Sequence, residues 1–144
     1  MQRRNSDKLQ NAMQALENAL KYARTSEFHG LGIEFKSVLI SAVVQNFTLT
    51  FAVCRRMIQQ QLTDSFGKEA VGDITPEELF RKAEQAGLIS SASRWIEYLD
   101  CEHLSPSSSL ALRTFEKAAA FLEDAGELFG TCGVRSQNER RRAA

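Results

Sequence analysis

Two prolines and eight glycines in 144 residues leave the chain few places to turn. Proteins made of many short strands need turn residues at short intervals, so this scarcity argues against a sandwich or barrel and predicts long helices. Histidine and cysteine are also scarce. His29 and His103 are far apart, and Cys54, Cys101 and Cys132 form no CxxC pair. Neither a zinc-ligand spacing nor a disulfide framework can be read from them, so no metal and no cofactor are expected. Free thiols suit a reducing compartment, which makes the cytoplasm the expected location. Net charge is absent too. Eighteen Lys and Arg balance eighteen Asp and Glu, so the chain as a whole is not drawn to nucleic acid or to an anionic membrane. The N-terminal MQRRNSDKLQ has no apolar segment of the signal-peptide kind. The most apolar run, Val38 to Val53, is interrupted by Ser41, Gln45, Asn46, Thr48 and Thr50. It is shorter than the ~20 apolar residues a spanning helix needs, so no membrane segment is expected.

What remains is a globular composition, 43% apolar and 25% charged, in a length suited to one domain. The domain is expected over residues 1–133, followed by a disordered basic tail at 134–144. Leu9, Ala12, Met13, Leu16, Leu20 and Ala23 recur at helical spacing and predict a first helix over about 5–27. A second helix is expected over about 34–62, apolar on nearly every side. One small bundle can bury one face of such a helix. The surplus predicts a subunit interface through Val44, Phe47 and Phe51. Thr75-Pro76 supplies a capping residue followed by the proline favoured in a first turn, opening a third helix over about 76–86. Gly87 is placed to end it. Ser90 or Ser91 caps a short helix over 92–101, and Ser105-Pro106 opens a last one over about 106–130 with Ala111, Phe115, Ala118, Leu122, Ala125 and Phe129 as its core stripe. Gly130 and Gly133 are expected to end it. The fold class is therefore all-α, an up-and-down antiparallel bundle of about five helices.

Candidate chemistry is sparse. Arg24 and His29 have a spacing that can serve acid–base RNA cleavage, but such a spacing recurs by chance, and a cation near a helix C-terminus is favoured by the dipole anyway. His103 follows Cys101, yet nothing nearby completes a nucleophilic triad. Glu97, Asp100 and Glu102 read best as a solvated face. Arg55 and Arg56 suit either phosphate or a carboxylate on a neighbouring helix. Trp95 reads as core. The Arg-rich tail has no interleaved aromatic, so nonspecific nucleic-acid contact is the lesser reading there. Walker A and dinucleotide-binding glycine patterns are missing.

Two stretches carry a resemblance. Residues 42–53 (AVVQNFTLTFAV) resemble the long helix of the nucleotidyltransferase substrate-binding proteins, small helical domains of the HEPN superfamily. Residues 86–90 (AGLIS), followed by 95–100 (WIEYLD) and a Ser-rich helix start, resemble a second segment of the same family. With the opening amphipathic helix, the resemblance covers about residues 9–129. It implies a homodimeric helical bundle and a minimal nucleotidyltransferase as partner, with a nucleotide or RNA as ligand. Members with an intact Arg-x4–6-His motif resemble RNA-cleaving toxins whose partner is the antitoxin. Aligning on Asp100 puts Glu102 in place of that Arg, Ser107 in place of the His and Ser109 in place of a modifiable Tyr. The family's Trp on the long helix falls at Arg55. The expectation is a non-catalytic binding subunit in a toxin–antitoxin-like pair. Its cleft lies between the second and last helices and is lined by Arg55, Arg56, Glu102, His103 and Ser107. The alternative is an RNase toxin with a relocated site.

Overall fold

A computed structural model describes residues 2–28, 33–101 and 109–143. These form six helices: α1 (Gln2–Phe28), α2 (Ile33–Phe66), α3 (Lys68–Val71), α4 (Pro76–Gln85), α5 (Ala92–Cys101) and α6 (Ser109–Ala143). No strand occurs among the described residues.

The punctuation in the middle of the chain acts locally as its residue types dictate. The Thr75 hydroxyl accepts a hydrogen bond from the Glu78 backbone N–H at 3.2 Å, and Pro76 opens α4. Gly87 takes a φ of 78°, the left-handed conformation that closes a helix, and the Leu88 N–H returns to the Ala83 carbonyl. The Ser91 hydroxyl accepts from the Arg94 N–H at the start of α5. A short helix, α3, occupies part of the expected loop, and Lys82 Nζ donates to the Ala70 carbonyl at 2.8 Å to hold α3 against α4.

The end of the chain departs from expectation. α6 passes through Gly130 and Gly133 and continues to Ala143, where a helix end and a disordered tail were expected. A glycine inside a helix costs only about 1 kcal/mol relative to alanine. The glutamine, glutamate and arginines beyond Gly133 are good helix formers, so the breaking signal is outweighed.

α1 and α2 pack along their length and are joined by only four residues, 29–32, so they run antiparallel. Phe121 on α6 packs on Phe47 of α2, with ring centroids 4.6 Å apart, and the α2 thiol of Cys54 feels Cys132 further along α6. α6 therefore runs parallel to α2. α5 is antiparallel to α6, because Arg94 meets Asp124 while Glu97 meets Lys117. α1, α2, α5 and α6 thus go up, down, up, down, the expected bundle.

The core is a chain of rings. Phe47, Phe51, Phe80, Trp95, Tyr98 and Phe121 sit with centroids between 4.6 and 6.3 Å, mostly edge-to-face or tilted. Such pairs add ~0.5–1.5 kcal/mol beyond area burial. Trp95 is buried, as expected. The expected subunit interface is corrected here. Phe47 and Phe51 have 0% exposure within the single chain and Val44 is also buried, so none of the three offers surface to a second copy. The surplus apolar surface of α2 lies on the other face, where Val38 is 65% and Leu49 63% exposed. By length and composition alone, Val38–Phe66 would suffice to cross a membrane. In this fold Phe47, Phe51, Cys54 and Ile58 from that stretch belong to the core.

Candidate functional site

Of the expected cleft, Arg55 and Arg56 are among the described residues. Arg55 is half-buried and Arg56 exposed, both in the second half of α2. Glu102, His103 and Ser107 lie outside the described residues, as does His29. Cys101 and Ser109 bracket 102–108, and both lie on one side of the Phe47–Phe121 contact, ~5 and ~18 Å along the bundle axis at 1.5 Å per residue. Arg55 and Arg56 lie ~12 Å to the other side. Arg55 and Arg56 are thus separated along the axis from Cys101 and Ser109.

The structure builds something else: a polar seam where α5 crosses α6. Asp124 is buried in mid-α6 and accepts three hydrogen bonds. The Tyr98 hydroxyl donates to Oδ2 at 2.5 Å, Arg94 Nε donates to Oδ2 at 3.1 Å, and the Arg94 terminal nitrogen donates to Oδ1. A carboxylate with this many donors, one of them a guanidinium fork, is the arrangement in which a buried charge is tolerated. Burial first, and then the bond to Asp124, pushes the Tyr98 hydroxyl well above its ordinary range, so it stays protonated and keeps donating. Asp124 in turn holds the Arg94 guanidinium firmly protonated. On either side along the seam, Ser90 donates to Glu127 at 3.3 Å and Lys117 pairs with Glu97 at 3.5 Å.

Chemically the seam positions rather than reacts. Its central tyrosine is locked neutral, its carboxylate is saturated with donors, and Tyr98 also packs edge-on against Phe47 and Phe121. The result fixes the end of α5, and hence Cys101, the last described residue before 102–108. Neither Asp124 nor Tyr98 was marked by the sequence. The one available signal was register, since Asp124 falls between Phe121 and Leu128 on what proves to be the buried stripe of α6. That stripe is Thr114, Ala118, Phe121, Ala125, Leu128 and Cys132, with the expected Leu122 and Phe129 at its edge.

This geometry defines a helical bundle whose helices α5 and α6 are cross-tied by polar groups. A family model described as nucleotidyltransferase substrate binding protein like matches residues 4–130. The chain belongs to that family. HI0074 from Haemophilus influenzae superimposes with a TM-score of 0.79 at 20% identity, over 88% of this chain and 98% of that one. Its structure is described as revealing the fold of a substrate binding domain of a nucleotidyltransferase. At that identity the likeness establishes the fold. No curated protein matches the sequence.

Proposed function

We propose that the chain is the non-catalytic substrate-binding subunit of a nucleotidyltransferase pair: a cytoplasmic homodimer that docks a minimal nucleotidyltransferase and presents its nucleotide or RNA substrate. The observation that carries this reading is the family match over residues 4–130, combined with Glu102 and Ser107 at the positions where HEPN ribonucleases resemble each other in Arg and His. A carboxylate repels the scissile phosphate, and a serine moves no proton near neutral pH without a base. The dimer is supported by the exposed apolar face of α2 around Val38 and Leu49 rather than by the buried Phe47 and Phe51. A toxin–antitoxin-like arrangement is the family context for such a pair.

Co-expression with a minimal nucleotidyltransferase encoded beside the gene, followed by affinity capture and light scattering, tests the reading. The expected outcome is co-purification of the two proteins and no RNA cleavage by the purified chain. Cleavage by the wild type that is lost in Arg24→Ala or His29→Ala would replace the binding role by a ribonuclease with a relocated pair. Cleavage lost only in His103→Ala would instead displace the alignment over residues 100–109.

A further inference from the structure

From Val38 to Cys54, α2 contains no Asp, Glu, Lys or Arg. Its open side over this stretch is a stripe that advances by four and three residues in turn: Val38, Ala42, Gln45, Leu49 and Ala52, continued by Arg56. Val38, Gln45, Leu49 and Arg56 are exposed, and Ala42 and Ala52 are half-buried. At 3.6 residues per turn these six positions stay within ~40° of one line along the helix. That is the seam through which two helices interlock. Loss of charge, more than hydrophobicity, marks the core of a contact between proteins. The stripe offers a polyanion no cation before Arg56.

We infer that this stripe pairs with itself: α2 of a second copy lies antiparallel across it, on a two-fold axis at the level of Val43 and Val44. The inference rests on the proposed homodimer and gives it a geometry. About this axis Val38 stands level with Leu49 of the second copy, and Ala42 with Gln45 of the second copy; the two-fold repeats both pairs. Val38 and Leu49, 65% and 63% exposed, are the large apolar side chains this stripe leaves in water, and here each covers the other. The small Ala42 makes room for the longer Gln45. A second copy is selected because the stripe complements its own reversal, layer by layer. Charge selects the direction. Parallel stripes would set Arg56 against Arg56, and like charges facing each other across a contact weaken it. The antiparallel order carries the two Arg56 to opposite rims, ~38 Å apart along the axis.

The test is disulfide cross-linking through introduced thiols. Cys54, Cys101 and Cys132 are buried, so the wild type is the silent control. Val38→Cys and Leu49→Cys are purified separately, then mixed, allowed to exchange subunits and oxidised with copper phenanthroline. In the antiparallel dimer each position lies ~16 Å along the axis from its own counterpart, too far for a disulfide, and level with the other position. The mixture should therefore yield at least ~10-fold more covalent dimer than either variant alone. Cross-linking of each variant with itself, the outcome for parallel helices, would overturn the inference. So would a wild type that scatters light as a dimer while no combination cross-links; that result removes the geometry and leaves the homodimer standing. A monomeric wild type sinks the homodimer and the geometry together. Introduced thiols that iodoacetamide reaches in the chain alone, and that only added nucleotidyltransferase protects, would give the stripe to that protein and overturn the inference as well.

Discussion

The two faces of α2 are made of similar residues and live in different worlds. One carries Phe47, Phe51, Cys54 and Ile58 and is sealed under α5 and α6. The other carries Val38 and Leu49 and lies open. Hydropathy along the helix does not separate them; the neighbours do. The buried face is closed by rings from three other helices, α4, α5 and α6, and Asp124 fastens α5 in place. Apolar surplus therefore signals that some face is left over, while the phase of the surrounding helices decides which one.

The comparison can be broken most severely at Phe51. Phe51→Asp places an unpaired carboxylate among Phe47, Phe80, Trp95 and Phe121, and should unfold the chain outright, a loss above ~4 kcal/mol read as the absence of a cooperative thermal transition. Asp124→Ala is next. It leaves the buried Tyr98 hydroxyl and the Arg94 fork without their acceptor, and urea denaturation should show a loss of ~3 kcal/mol.

Alkaline pH attacks the same buried region more gently. Burial, and then the nearby Cys132, holds the Cys54 thiol above its ordinary 9.0, and Tyr98 is held above its ordinary 10.0. Both groups bind their protons more tightly in the folded state. Their contribution is complete below those ordinary values and is lost as pH rises beyond them. The thermal midpoint should be flat from pH 7 to about 9 and then fall. Tyr98→Phe should flatten the part of that fall above pH 10.0.

The smallest effect on folding belongs to the open face. Leu49→Asp should change stability by no more than ~0.5 kcal/mol, because the side chain is already in water. In light scattering it should convert a dimer into a monomer. A dimer that survives Leu49→Asp would place the subunit contact elsewhere.

Much of this fold was legible because its signals are local. Thr75-Pro76, Gly87 and Ser91 each act within four residues, and each helix boundary between α4 and α5 lies where they put it. The stripe of α1 was legible for the same reason, since Leu9, Leu16 and Leu20 recur at helical spacing and all three are buried. On α6, apolar residues occupy two adjacent faces, while the buried one also includes the polar Thr114 and Asp124. What allows an aspartate there is Tyr98 and Arg94, 26 and 30 residues earlier in the chain. No periodicity reports such a pairing. Of the candidate site, which the family resemblance grouped, Arg55 and Arg56 lie in the second half of α2 as expected, while Glu102, His103 and Ser107 lie outside the described residues.

Three polar residues of α2 bond within their own helix. Asn46 donates to the Ala42 carbonyl, Thr48 to the Val44 carbonyl and Thr50 to the Asn46 carbonyl. Bonds of this kind hand back no directional request to anything that lies alongside. Thr50 is fully buried, and the half-buried Asn46 and Thr48 set depth of contact but hardly azimuth, like a smooth axle in a bearing. Angular registration on the open face then falls to the polar side chains in line with Val38 and Leu49, namely Gln45 and Arg56, which are both exposed. In the proposed dimer those two residues would act as the index marks of the helix, setting the angle of the contact more than its strength.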